Sequence, residues 1–97
     1  MTTTPRERLR AKIDSQPTGM LATIAVQLYA KEPAEITAEE SLVRGMVADA
    51  IVGRHPAVDA QMDAWFSDES AAGLAFINAH TYGELLALAV EVTEATR

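Results

Sequence analysis

The chain of 97 residues contains no cysteine. This absence excludes disulfide bonds, thiol catalysis and every metal site that needs thiolate ligands. It is typical of a protein in a reducing compartment, and we expect a cytoplasmic location. No apolar run approaches the roughly 20 residues that a membrane-spanning helix needs. The basic start of the chain is not followed by an apolar segment, so it does not predict a secretory signal.

Aromatic residues are also scarce, with one Trp, two Tyr and two Phe. Hydrophobic residues nevertheless make up 48% of the chain, which is too many for a disordered protein. The length predicts a single domain over residues 1–97. Because many of the hydrophobic residues are alanine, the core is expected to be modest. Part of the apolar surface is then left for a partner.

Apolar residues recur at helical spacing, and no segment alternates with the period of a strand. Thr4, Thr37 and Thr81 are each followed three residues later by glutamate, a pattern that predicts capped helix starts. Prolines at positions 17, 33 and 56 separate the segments. The sequence therefore predicts an all-α fold, a bundle of five to six short helices packed layer on layer.

The predicted helices cover about 4–14, 17 or 18 to 30, 37–53 and 56–67, and a last helix opens at Thr81; residues 1–14 form a basic, loosely packed first helix. A further segment from Glu69 to His80, capped by Asp68 or Ser67, is either helical or includes a short extended piece at 74–78. We expect the stretch 37–66 to form the heart of the core, with Trp65 and Phe66 in it. Gly45 inside this stretch predicts a close helix crossing.

The last predicted helix has an apolar stripe of Leu85, Leu88, Ala89 and Val92. Leu86 and Val90 lie off this stripe, so the helix is apolar on nearly two faces. Such a helix is either buried centrally or forms the seam of a homodimer.

The net charge of −6 is spread unevenly. Residues 1–30 hold four basic and two acidic side chains, and residues 31–97 hold four basic and twelve acidic ones. The acidic body repels a nucleic-acid backbone, so nucleic acid is not the expected partner. The alternative is a nucleic-acid-linked regulator that uses the basic first helix, or a DNA mimic that uses the acids. Both alternatives stay open at this point.

The chain offers little that suggests catalysis. It has no phosphate-binding glycine motif and no serine in a nucleophile context. His55, Asp59 and Asp63 follow one another at four-residue steps, as metal ligands on one helix face would. The two aspartates, however, lie opposite the apolar stripe and are expected to face water. We therefore predict no catalytic, cofactor or metal residue and no enzyme activity.

The segments Arg54-His55-Pro56, Asp63-Ala64-Trp65 and Thr81-Tyr82-Gly83-Glu84 resemble a pattern in small helical proteins of actinobacteria and their phages. The resemblance covers about two-thirds of the chain and implies an intracellular context, with a phage or prophage origin. It implies no active-site residues. The stretch 71–79 departs from this pattern. We expect this stretch to be where this protein differs from the others in its choice of partner.

These observations predict a non-catalytic, acidic helical protein that acts through protein–protein interaction. The partner would be a host protein or a second copy of the chain, and no membrane or cofactor is involved. The predicted interaction surface combines apolar residues of the last helix with charged residues of the others: Leu86, Val90, Glu39, Asp59, Asp63, Arg6 and Arg10.

Overall fold

The structure, a computed structural model, describes residues 3–95, and these residues form six α-helices and no strand. The helices are α1 (Pro5–Asp14), α2 (Thr18–Tyr29), α3 (Ala38–Arg54), α4 (Pro56–Phe66), α5 (Ala71–Asn78) and α6 (Tyr82–Ala95). The predicted all-α bundle of five to six helices is confirmed.

Threonine caps begin three of the helices where the sequence predicts them. The Thr37 hydroxyl accepts the Glu40 amide at 3.0 Å, and the Glu40 carboxylate accepts the Thr37 amide at 3.1 Å. Thr81 and Glu84 make the same reciprocal pair at 3.2 and 2.9 Å. Thr4 caps α1, with proline at the first helical position. Each cap pairs amides that the first turn leaves without partners, and this local effect fixes the start of the helix.

The start of α5 differs from the prediction. The cap is Ser70, whose hydroxyl accepts the Gly73 amide at 3.1 Å, and neither Asp68 nor Ser67 caps the helix. Asp68 accepts the Ser70 amide at 3.0 Å instead, which shapes the turn before the helix. Residues 74–78 are helical, so the extended alternative is wrong.

Helix α6 lies at the centre of the bundle, where it packs against α2, α4 and α3. Burying an aliphatic side chain stabilises a fold by about 1.5–3 kcal/mol, so the fully buried residues dominate stability. The largest of these come from α2, α3, α4 and α6: Leu21, Ile51, Leu85, Leu86, Val47 and Val58.

The closest helix approach is at Gly83 rather than at Gly45. A Cβ on Gly83 would lie 2.7 Å from the carbonyl carbon of Ala25 and closer still to its oxygen, so only glycine fits where α6 meets α2. Gly45 is exposed and has no atom near its Cβ position. The predicted crossing at Gly45 is therefore wrong.

The central stretch forms much of the core, but its aromatic end does not. Val47, Ile51, Val58 and Met62 are buried. Trp65 is only partly buried at the edge of the core, and Phe66 is 50% exposed. Placing both aromatic residues at the heart of the core was wrong, because the part of α4 that contains them packs against the small helix α5 and not against α6 alone.

Helix α1 packs against α3 and buries Ile13. Arg54, the last residue of α3, joins this helix to the body. Its guanidinium donates to the carbonyl oxygens of Asp14 at 2.7 Å and Gln16 at 2.6 Å, with a longer contact to that of Ile13 at 3.4 Å. A cation suits these carbonyls because the C-terminal end of a helix carries partial negative charge.

Candidate interaction surface

Helix α5 is attached to the body through a tight turn and one face. The Asp68 side chain folds over Gly73, where a Cβ would lie only 2.8 Å from the Asp68 Cβ. Hydrogen bonds from Ser70 hold the pKa of the Asp68 carboxyl below its ordinary value. Gly73 thus permits the carboxylate to sit against the first turn of α5, where its negative charge suits the positive end of the helix dipole.

The inner side of α5 is aromatic. Phe76 stacks in a tilted arrangement on Trp65 of α4, with ring centroids 5.1 Å apart. On its other side the ring lies 4.6 Å from that of His80, whose Nδ1 is 2.7 Å from the Phe76 carbonyl oxygen. Tilted pairs of this kind add about 0.5–1.5 kcal/mol to the burial of their area. The main neighbour of α5 is α4.

The outer side of α5 is open and almost wholly apolar. It consists of Ala71, Leu74, Ala75 and Asn78, which share one helix face and are all exposed. We refer to these four residues as the α5 face. Leu74 is 53% exposed, the largest value among the bulky apolar residues of the described chain. No charged residue occurs between positions 70 and 79.

A second exposed apolar side chain lies close to α5 in the sequence. Phe66 ends α4 and is 50% exposed, although a large aromatic residue usually buries most of its area. A cavity of about 250 Å³ between α4 and α5 is lined by Trp65, Ala72 and Phe76 among others. The α4–α5 end of the molecule is therefore an incompletely filled apolar region.

The molecule as a whole is elongated. The molecule measures 52 × 37 × 18 Å, and its radius of gyration is 14.5 Å, whereas a domain of this length has about 12.5 Å. The accessible surface is 6305 Å², whereas a folded monomer of this mass has about 5,400 Å². The chain thus exposes about 900 Å² more than its mass requires.

The apolar part of the predicted surface is misplaced. Leu86 is fully buried and Val90 is 6% exposed, so neither forms part of an exposed surface. Most of the apolar surface of α6 is covered within the chain by α2, α4 and α3, although Val92 of the predicted stripe is 39% exposed. The sequence left two alternatives for the last helix, central burial or a homodimer seam, and the structure shows central burial.

The acidic part of the predicted surface lies on the outside of α4. Asp59 and Asp63 are exposed, as expected from their position opposite the apolar stripe. Burial raises the pKa of Tyr82, and the negative charges of Asp59, Asp49 and Asp63 raise it further. These carboxylates therefore act on one aromatic side chain, Tyr82, whose ring lies 5.0 Å from that of Tyr29.

Two other predicted residues share a groove between α1 and α3. Arg6 and Glu39 line it together with Leu9 and Leu42, and its volume is about 590 Å³. Arg10 lines a different cavity of about 270 Å³, which also includes Asp14. The structure thus brings Arg6 and Glu39 together, and it separates them from the acids of α4.

The histidines have structural neighbours. His55 Nε2 lies 4.0 Å from Oε1 of Glu94, at the junction of α3 and α4. His80 is partly buried beside Phe76. Within residues 3–95, no three side chains of the metal-ligating types are grouped so as to hold an ion.

Sequence reasoning missed the α5 face. Its signal is the run of ten residues from Ser70 to Ala79 without a charge. The same signal also fits α2, whose residues Leu21 and Ala25 are completely buried. Charge alone therefore does not distinguish a helix in the core from one at the edge.

Comparison of the chain with protein families, curated proteins and solved structures finds no match. The class of protein is therefore defined by the fold alone, an all-α bundle of six helices. The resemblance to actinobacterial and phage proteins stays a prediction.

None of the helices within residues 3–95 is both long enough and apolar enough to cross a membrane.

Proposed function

We propose that this protein is non-catalytic and acts by binding another protein through the α5 face, with Phe66 at the end of α4 as a second exposed apolar contact. The observation that supports the proposal is the exposure of Leu74, at 53%, on a helix without any charged residue. Large apolar side chains that are grouped and exposed are typical of surfaces that bind a partner.

The chemistry of the surface defines the partner. The centre of the surface is small and apolar, so the complementary surface is apolar as well and has no charge at its centre. Asp68 and Glu69 are exposed at one end of α5 and form a charged rim. A partner with acidic residues opposite this rim would be repelled, so the rim contributes specificity more than affinity.

The expected affinity is moderate. Complete burial of a Leu or Phe side chain contributes about 1.5–3 kcal/mol. Leu74 and Phe66 are 53% and 50% exposed in the free chain, so about half of this free energy per side chain becomes available when a partner covers them. Because micromolar binding needs about 8 kcal/mol, these two side chains supply only part of the binding free energy, and the partner must bury further surface as well. Under the phage resemblance, the partner would be a host protein.

Affinity purification with matched variants tests the proposal. Leu74→Glu places a charge in the centre of the α5 face, and Met20→Glu places the same charge at an equally exposed apolar position on α2. We expect bound protein to be lost with Leu74→Glu and retained with Met20→Glu. Equal recovery with both variants and with the unmodified protein would refute the role of α5.

A further inference from the structure

We propose that α1 opens from the body as a unit, while the other helices stay folded, and that Arg54 controls how often it opens. The opening pivots at the corner between α1 and α2, which consists of residues 15–17. The α5 face takes no part in it, so this inference is independent of the proposed function.

Helix α1 makes few apolar contacts with the rest of the chain. Ile13 is its only buried residue, and Leu9 packs against the core only in part. Its main neighbour is α3, whereas α6 buries five residues and packs against three helices. Segments with few buried apolar contacts open at a lower free energy than the core of a domain. We therefore expect α1 to separate from the body more readily than α6 unfolds.

The contact between α1 and α3 is also incompletely filled. The groove of about 590 Å³ is lined by Leu9 of α1 and Leu42 of α3 among others. The cavity of about 270 Å³ is lined by Ile13 and Met46 among others. A side chain beside unfilled space has fewer dispersion contacts than one in a filled core. Both apolar residues that attach α1 border such space, so less free energy is needed to remove them.

Charged side chains do not attach α1 firmly to the body. Residues 5–14 hold four basic and two acidic side chains. In the part of the chain that the structure describes, none of these six forms an ion pair with another helix. The attraction between the basic helix and the acidic body therefore acts at long range, where salt screens it.

Arg54 is the polar connection that holds the corner closed. Its Nη1 donates to the carbonyl oxygen of Gln16 at 2.6 Å and lies 3.4 Å from the hydroxyl oxygen of Thr18. Its Nη2 donates to the carbonyl oxygen of Asp14 at 2.7 Å. These acceptors belong to the end of α1, the corner and the start of α2, so one guanidinium fixes the angle between the two helices. Outward movement of α1 breaks at least the hydrogen bond to Asp14.

The opening would uncover apolar surface that the closed molecule hides. Ile13 and Met46 are each 6% exposed and line the same cavity at the α1–α3 contact. Both would become accessible beside Leu42, which is already 39% exposed. Arg54 thus acts as a latch that keeps an apolar part of α3 covered.

Amide hydrogen exchange of the full chain, measured residue by residue, tests the inference. A helix of ten residues is marginal in water when it is isolated, so an opened α1 loses its hydrogen bonds and its amides exchange. We expect the amides of residues 9–14 to be protected at least about 100-fold less than those of Leu86 and Val90 in α6. Low concentrations of urea should change the exchange of α1 only slightly, because its opening exposes little surface.

Matched arginine variants test the role of the latch. Arg54→Met should speed the exchange of residues 9–14 by about 10- to 100-fold, since hydrogen bonds from a charged donor are lost. Arg44→Met removes an arginine from the same helix, whose guanidinium lies 5.0 Å from the ring centroid of Tyr29 in α2. Opening of α1 does not break that contact, so this variant should leave the exchange of α1 unchanged. Circular dichroism should show that both variants are helical.

Three results would overturn the inference. Equal protection of α1 and α6 in the unmodified protein would show that α1 opens only with the whole fold. Protection that rises along α1 and equals that of α6 at Ile13 would show fraying of the helix end in place of opening as a unit. Equal exchange of α1 in Arg54→Met and Arg44→Met would show that Arg54 is not the latch. The first two results come from the unmodified protein, so they do not depend on the folding of a variant.

Discussion

Glycine-to-alanine substitution should have opposite effects on stability at two positions of this protein. Gly83 is buried where α6 crosses α2, and a Cβ there would lie 2.7 Å from the carbonyl carbon of Ala25. Neither that carbonyl nor the start of α6 can move without disturbing the core. Overpacking of this kind typically costs about 1–3 kcal/mol.

Gly45 provides the matched control. It lies inside α3, is exposed, and has no atom within 4 Å of its Cβ position. Neither glycine adopts a positive φ, so alanine strains the backbone at neither position. Alanine at Gly45 should therefore stabilise the fold by about 0.4–1 kcal/mol, because it restricts the unfolded chain and favours the helix.

Urea unfolding monitored by circular dichroism measures both changes. The midpoint should fall for Gly83→Ala and rise for Gly45→Ala, with similar slopes if the unfolded state is unaffected. In thermal unfolding each kcal/mol corresponds to about 4–8 °C for a domain of this size. If Gly83→Ala is as stable as Gly45→Ala, then α2 and α6 do not cross closely at Gly83, and the central packing described above is incorrect.

Four further results are expected. Arg54→Met should cost about 1.5–3 kcal/mol in urea unfolding, because it removes charged hydrogen bonds to the α1–α2 junction. Thr37→Ala should cost about 1 kcal/mol by loss of the cap. Trp65 fluorescence should be intermediate between buried and exposed indole and accessible in part to acrylamide, and a fully buried signal would contradict its edge position. The fourth result concerns pH. Hydrogen bonds from Lys31 and from the Thr37 backbone hold the pKa of Glu40 below its ordinary value of 4.5. A lowered carboxyl pKa stabilises the folded state above the unfolded pKa, and this contribution is lost as pH falls through the folded pKa. Thermal stability should therefore decrease below about pH 4.5 and less steeply in Glu40→Gln.

The helix starts could be predicted because the responsible interactions are local. A threonine cap and its glutamate are three residues apart, and the sequence contains both. The error at α5 has the same origin. Asp68, Ser67 and Ser70 are all suitable caps, and only the folded turn shows that Asp68 accepts the Ser70 amide while Ser70 caps the helix.

Long-range packing could not be predicted in the same way. Gly45 and Gly83 look alike in the sequence, and only the position of α2 distinguishes them. Arg54 reaches acceptors 38 and 40 residues away, at Gln16 and Asp14, so no local pattern indicates its role. Periodicity shows that a side chain lies on an apolar face but not which neighbour covers that face.

This limit explains why the sequence pattern places apolar interaction residues on α6, where the fold buries them. The sequence shows more apolar surface on α6 than one neighbour can cover, and a partner chain is one way to cover the rest. In the fold, α6 lies between other helices, so Leu86 and Val90 are buried within the chain.

Helix α5 packs mainly on α4. Its outer side is exposed in the described part of the chain. Leu74 and Phe66 are, with Met20, the most exposed bulky apolar residues of the described chain. A charge at Val90 would destabilise the core that every helix depends on, whereas a charge at Leu74 would meet water in the free chain. Association can for this reason be tested separately from folding, which would be impossible if the surface lay on α6.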